Sequence, residues 1–319
     1  MRRILMILIS MIMLFALASC NTRSIQEDPA RIEEETVEVS PKINEDKYIY
    51  RHRSTMEKGN DREQYIWEVL RLSLEATVDD FGPYEIEPVD EINQIRDDVE
   101  LIHNTGMITI ISDSLNEMNL KELDQIQVPL MCNLLGYRVF FIRADRQDDF
   151  DHIAEAEDLK SYKFGIAFGW NDKIILEHSG YKVHEEEIYG SLYRGLESGI
   201  FDIFSRGVNE VQGEYQTYKE SYPKLHIEEN ILLYYPLPRY FWFSKTEYGQ
   251  KLKNRVEVGL NRIIEDGTFY QLFDEYFAET LETLDLDDRI LIELENPIYD
   301  KNFEAIDLKY RYNPLDNNY

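Results

Sequence analysis

Four short polar runs carry the residue types that could grip a small solute. In Ser205-Arg206-Gly207-Val208-Asn209-Glu210 a guanidinium, an amide and a carboxylate follow directly on an apolar run. Arg206 could clamp an anionic group through paired hydrogen bonds, or close a structural ion pair with Asp202 or Glu210. Asn209 and Glu210 could add polar contacts or simply begin the next helix. In Gly169-Trp170-Asn171-Asp172 the free N–H groups of a helix start could receive an anion or a carbonyl, with Trp170 as a stacking wall. Equally, Asn171 or Asp172 could only cap that helix while Trp170 packs. Ser112, Asp113 and Ser114 offer two hydroxyls and a carboxylate, unless they form a plain turn. His52 and Arg53 close an alternating run and complete the set. These groups suit binding by hydrogen bonds and charge more than bond making.

Other chemistries lack their residue patterns. The six histidines and two cysteines show no metal-ligand spacing, and neither a glycine-rich phosphate loop nor a Ser-His-Asp set is indicated. No cofactor and no catalytic residue is therefore expected. The 319 residues contain 62 Asp plus Glu against 34 Lys plus Arg, a net charge of -28. Such an excess of acid excludes nucleic acid as a partner and gives a well-solvated surface, with a monomer expected.

The elements that must hold the four runs follow from periodicity. Lys47 to Arg53 alternates as a strand, a helix with Ile66, Val69, Leu70 and Leu74 on one face follows, and Pro83 to Val89 is a second strand. Ile92 to His103 is helical, and Met107 to Ile111 is an apolar strand that ends in Ser112, Asp113 and Ser114. Leu134 to Arg143 is a long aromatic and β-branched run, expected to be a buried strand followed by a helix from Asp148 to Lys160. Strands are then expected at Tyr162–Phe168, Tyr181–Val183 and Ile200–Phe204, alternating with helices, as a parallel sheet requires. A second apolar run, Ile231 to Phe243, is interrupted by Pro236 and Pro238 and so predicts two short strands with a bend between them. The two long runs read as an exit from one lobe and a return to it.

The expected organisation is lobe 1 at 47–140 and 237–279, lobe 2 at 141–236, and a C-terminal tail at 280–319 packing on lobe 1. Ahead of this body, Arg2 and Arg3 precede fourteen mostly apolar residues, Ile4 to Leu17, and then Ala18, Ser19 and Cys20. Fourteen is short of the about 20 that a membrane span needs, and the layout is that of a secretory signal over 1–19. The ending Leu17-Ala18-Ser19-Cys20 resembles the bacterial lipoprotein box, which implies a lipid on Cys20. Loss of 1–19 removes two arginines and moves the net charge from -28 to -30. Residues 20–46 are acidic and lack aromatic side chains, so a disordered linker is expected. Cys132 is left without a partner and reads as a small core residue.

The ordered set from Lys47 to Phe277 resembles the extracellular solute-binding proteins of family 3, which have the type 2 periplasmic-binding-protein fold. The resemblance is carried by the strand Met107 to Ile111 and its turn, Val128-Pro129-Leu130, Tyr162 to Gly169, Leu196 to Phe204, and Ile264 to Phe269. It implies a two-lobed α/β fold with two hinge crossover strands. It also implies a tethered binding protein in the periplasm or at the cell surface that closes on a small polar solute, with an ABC transporter permease as a partner. An enzyme on the same fold, dehydratase-like with Asp113 or Glu210 as its acid, is the alternative, and a sensory role is a third. The family's carboxylate-clamping arginine falls at Leu120 and its ligand-binding acid near Gly207, so ordinary α-amino acids are expected to bind weakly.

Overall fold

The computed structural model describes residues 46–54, 61–90 and 94–315. The signal segment 1–19, Cys20 and all but the last residue of the 20–46 linker lie outside the described residues. In chain order the strands are β1 (Ile49–Arg53), β2 (Glu85–Val89), β3 (Ile111–Ser114), β4 (Leu123–Gln125), β5 (Tyr137–Arg143), β6 (Lys163–Ala167), β7 (Lys182–Glu186), β8 (Ile203–Gly207), β9 (Leu225–Ile227), β10 (Ile231–Tyr234), β11 (Arg239–Ser244) and β12 (Ile290–Glu293). The helices are α1 (Asp61–Glu75), α2 (Val78–Phe81), α3 (Gln94–Ile102), α4 (Glu117–Glu122), α5 (Gln147–Phe150), α6 (Asp172–His178), α7 (Tyr189–Ser198), α8 (Val211–Tyr218), α9 (Glu247–Glu265), α10 (Thr268–Glu282) and α11 (Lys301–Asp307).

The first lobe is built on the β11 ladder. β11 runs antiparallel between β3 and β4, and β1 pairs in parallel with β2. Thr109 and Ile110 donate their N–H groups to the Arg51 carbonyl, so the chain leading into β3 lies beside β1. In β11 alternation sends Phe241 and Phe243 to one face and Tyr240 and Trp242 to the other, where Leu101, Ile108, Ile111, Leu115 and Leu123 meet them. All four aromatic side chains are buried, each worth about 1.5 to 3 kcal/mol in apolar area removed from water.

The second lobe orders its strands β7-β6-β8-β5, with β6 parallel to both β7 and β8 and β5 antiparallel to β8. β9 and β10 both pair with β5, and β12 extends the sheet beyond β10. The two crossovers touch, because the Tyr235 N–H donates to the Gly136 carbonyl. A Cβ on residue 136 would lie 2.3 Å from the Tyr235 carbonyl oxygen, so only glycine allows this approach. The prolines do divide the return run, into β10 and β11.

Four expected elements differ. β3 begins only at Ile111 and runs to Ser114, and β8 begins at Ile203 and runs to Gly207, because β11 and β5 offer these residues ladder partners that no local propensity reveals, and Leu134–Gly136 forms a 3₁₀ turn ahead of β5. The helix expected from Asp148 to Lys160 shrinks to α5 and a 3₁₀ turn at Asp158–Ser161. Between them the Asp158 carboxylate accepts from the N–H groups of Ala154 and Glu155, a local alternative to helix.

The tail reaches both lobes. β12 pairs with β10, while Tyr299 and Phe303 pack on the Tyr240 and Trp242 side of the first sheet. Asp307, fully buried in α11, accepts from the hydroxyls of Tyr240 (2.9 Å) and Tyr299 (2.6 Å). Cys132 is buried with a positive φ of 49°, and burial pushes its thiol up, which fits a core residue.

Candidate functional site

A cavity of about 90 Å³ lies where strand ends of both lobes converge. At roughly 10 to 15 Å³ for one water-sized position, it has room for on the order of six to nine of them. Five arginines and four acids line it: Arg53, Arg62, Glu63, Asp113 and Arg239 from the first lobe, and Arg138, Asp172, Arg206 and Glu210 from the second lobe and the crossover leading into it. Ser114, Leu135, Trp170, Asn171 and Leu237 complete the lining.

The second-lobe wall is organised by register. β5 and β8 pair Arg138 with Gly207 and Val139 with Arg206. Arg206 is 1% exposed and donates from Nε to Glu214 at 2.7 Å, with Glu210 at 3.1 Å from Nη2. The same Glu214 accepts from the hydroxyls of Tyr189 (2.8 Å) and Tyr193 (3.0 Å), and the Trp170 ring lies 4.8 Å from the guanidinium carbon. Arg138 pairs with Asp172 at 3.0 Å and donates to the carbonyls of Leu135 and Ser205, and the Tyr235 hydroxyl donates to Asp172 at 2.7 Å.

The first-lobe wall comes from four separate segments. Arg53, at the end of β1, donates to Asp97 at 2.7 Å. Arg239, at the start of β11, donates from Nε to the Ser112 hydroxyl (2.9 Å) and from Nη2 to the Ser112 carbonyl (2.8 Å), and its Nη1 pairs with Glu63 at 2.9 Å. Arg62, in the first turn of α1, touches Glu63 at 3.3 Å and reaches across the cleft to Glu210 at 2.6 Å. A second bridge between the lobes runs from the Asn171 amide to the Ser114 hydroxyl, 2.9 Å.

At the three buried glutamates of the cleft, Glu63, Glu210 and Glu214, burial works against ionisation and the neighbouring charges decide the outcome. At Glu210 the guanidinium groups of Arg206, Arg62 and Arg138 outweigh burial and hold the carboxyl down at about 2. At Glu63 burial is likewise overcome, chiefly by Arg239 and Arg62, again to about 2. Glu214 ends higher than an ordinary glutamate, because burial and the Glu210 charge together exceed the pull of Arg206. Behind Arg53, burial pushes Asp97 up to about 6 and Asp98 to about 8, the latter helped by the charges of Asp113 and Asp97.

Of the residues singled out from sequence, Arg53, Asp113, Ser114, Trp170, Asn171, Arg206 and Glu210 line the cavity, whereas Ser112, Asn209 and His52 do not. Ser112 sits one layer back and holds Arg239. His52 stacks on Trp67 at 3.8 Å and is buried, which lowers its pKa and makes it a packing residue. Asn209 is buried, with an amide that makes no hydrogen bond among the described residues. Arg206 is buried and takes the structural-pair arrangement with Glu210, to which Glu214 adds a second partner, while Asp202 pairs with Arg146. Asn171 offers no side-chain cap to α6; its amide goes to Ser114.

Arg62, Glu63, Arg138, Asp172 and Arg239 were not selected. Two of them had a signal: Arg138 and Arg239 are buried charges inside the apolar runs of β5 and of the return segment, and a charge buried in such a run must find a partner. Arg62 and Glu63 belong to an ordinary charged helix start and had none. Leu120, at the expected clamp position, packs against the Tyr240 and Trp242 cluster.

No protein-family model matches the sequence, and no curated protein does. Solved structures share the fold over 72% of this chain. One is an ancestral arginine-binding protein bound to arginine, 16% identical, with 98% of that chain covered and a TM-score of 0.52. Another is a histidine kinase sensor domain with similarity to periplasmic binding proteins, 15% identical, 95% covered, TM-score 0.52. A third is an ancestral amino-acid-binding protein, a precursor of cyclohexadienyl dehydratase, 16% identical, 95% covered, TM-score 0.51. The chain has their two-lobed α/β architecture, the type 2 periplasmic-binding-protein fold.

Proposed function

We propose that the chain binds a small polar solute between its two lobes and works outside the cytoplasm, tethered to a membrane by a lipid on Cys20. The observation that carries this reading is the cavity lined from both lobes, bridged by Arg62 to Glu210 and by Asn171 to Ser114. Ligand contacts made to both walls would favour the closed arrangement over an open one, which is how a hinge couples binding to shape. The closed monomer would then present its solute to an ABC transporter permease or report it to a sensor. The names of the structural neighbours include both binding proteins and a sensor domain.

A dehydratase-like role has less support. A group that gives and takes protons works best with a pKa near the operating pH, and Glu210 is held near 2.

A thermal-shift screen of small polar solutes against the purified full-length chain tests the reading. A ligand bound only by the folded form, at a hundredfold excess over its Kd, adds about 2.7 kcal/mol of apparent stability. A rise of several degrees for one class of solute is expected, and a flat response to every class would refute solute binding. For the tether, Cys20→Ser is expected to move the protein out of the membrane fraction; wild type without acyl mass at its N-terminus would refute the lipid.

A further inference from the structure

The two acids that face each other across the cleft are in different states of satisfaction. Glu210 is surrounded by donors: Arg62 at 2.6 Å, the Gly207 N–H at 3.0 Å, Arg206 at 3.1 Å and Arg138 at 3.8 Å. A cationic ligand group brought to Glu210 would have to displace Arg62 and sit among the other two guanidinium groups. Glu63 is 4% exposed and also lies between two guanidinium groups, both on its Oε1: Arg239 at 2.9 Å and Arg62 at 3.3 Å. Its Oε2 is buried and makes no hydrogen bond among the described residues.

A buried carboxylate oxygen requires a donor. Two guanidinium groups already compensate the charge of Glu63, so an ammonium placed at Oε2 would add a third cation in the same few ångströms. A hydroxyl supplies the same hydrogen bond without a charge. On the other wall, the hydrogen bonds of Arg206 to Glu214 use Nε and Nη2, and Nη1 takes no part in them.

Resting on the solute-binding reading above, we infer that Arg62 supplies from within the chain the cation that Glu210 requires. The solute is then a hydroxylated compound without an ammonium group, which donates a hydroxyl to Glu63 Oε2. Arg62 acts here as a specificity-determining residue. Two kinds of compound share this chemistry, hydroxy acids and uncharged polyols, and the three-carbon members of both are within the size of the cavity.

Calorimetric titration of the full-length chain at pH 7.5 separates the classes with two matched sets: glycerate, serine and glycerol; and 2-hydroxyglutarate, glutamate and xylitol. In wild type the tightest binder of a set is expected to be a hydroxyl compound, at least tenfold tighter than its amino counterpart. A hydroxy acid ahead of the polyol assigns an anionic ligand, and the reverse order an uncharged one. Arg62→Ala is expected to move the hydroxyl-to-amino ratio at least tenfold toward the amino compound, and Arg62→Lys to keep the wild-type order. Glu63→Gln is expected to weaken the hydroxyl compounds about tenfold, with its melting curve recorded to separate lost binding from lost folding. Serine or glutamate binding wild type more tightly than its hydroxyl partner would overturn the inference and leave solute binding standing, as would a ratio unmoved by Arg62→Ala. Should neither set bind, the class found in the wider thermal-shift screen decides: a hydroxylated hit without ammonium upholds the inference, an ammonium-bearing hit overturns it, and no hit overturns solute binding as well.

Discussion

The two walls of the cleft are built on opposite principles. The second-lobe wall takes Arg138 and Arg206 from near the ends of neighbouring antiparallel strands, where both reach Glu210, at 3.8 Å and 3.1 Å. Its charges are tied into one closed network with Glu214, Tyr189, Tyr193, Asp172 and Tyr235. The first-lobe wall gathers Arg53, Arg62 with Glu63, Asp113 with Ser114, and Arg239 from segments far apart in the chain, and it retains an unbonded carboxylate oxygen on Glu63. A wall whose charges are all paired resists change and defines shape, whereas a wall with a carboxylate oxygen still to be satisfied responds to what is placed against it.

The largest consequence of this contrast falls on Arg206. Removing one partner of a buried pair leaves an uncompensated charge and costs about 3 to 5 kcal/mol. Arg206→Ala would strand Glu214 in this way, leaving it only the hydroxyls of Tyr189 and Tyr193, so a large fall in melting temperature is expected from calorimetry. A variant that melts like wild type and only loses affinity would make the second-lobe wall a contact surface and break the contrast.

An intermediate effect is expected in the first lobe, at Asp98. Its pKa rises from 3.8 to about 8 on folding, so between pH 4 and 8 the folded state binds more protons than the unfolded one. Stability contributed by this group therefore falls as pH rises through that window. Glu210 and Glu63 work in the other sense: their stabilisation is present above 4.5 and is lost as pH drops toward about 2. Asp98→Asn is expected to gain on the order of 1 to 3 kcal/mol at pH 8 relative to pH 5. Urea denaturation of both proteins at the two pH values checks this. An unchanged difference would mean that the first-lobe acids carry no strain.

The smallest effect concerns the bridge between the walls. Asn171→Ala removes the hydrogen bond to Ser114 and is expected to cost about 0.5 to 1.5 kcal/mol. The loss should register as faster amide exchange along the cleft, with the β5 and β8 amides unaffected. Exchange that quickens equally in both places would show that the second-lobe network is no more rigid than its neighbour.

The legibility of the site follows the same division. Asp113, Ser114, Trp170, Asn171, Arg206 and Glu210 were found because each sits near the end of an apolar strand, and such runs are visible at short range. Arg138 and Arg239 could have been found from the rule that a charge inside an apolar run must be paired. Arg62 and Glu63 carried no mark, since nothing in a charged helix start reveals what it will face. Where readings failed locally, as at the helix expected over 148–160, a side chain offered the backbone another partner: Asp158 caps the loop that replaces it.

The sequence by itself determined the alternation of strands and helices, the two crossovers with the proline bend between them, and the strand ends around which a cleft could form. These are properties of apolar period and turn chemistry over a few residues. Tertiary structure alone decided which charges meet. Arg62 pairs with Glu210 across 148 positions and Arg239 holds Ser112 across 127. Such pairings depend on strand register and on how the two lobes are brought together, and a shift of one residue would turn each strand's side chains to the opposite face.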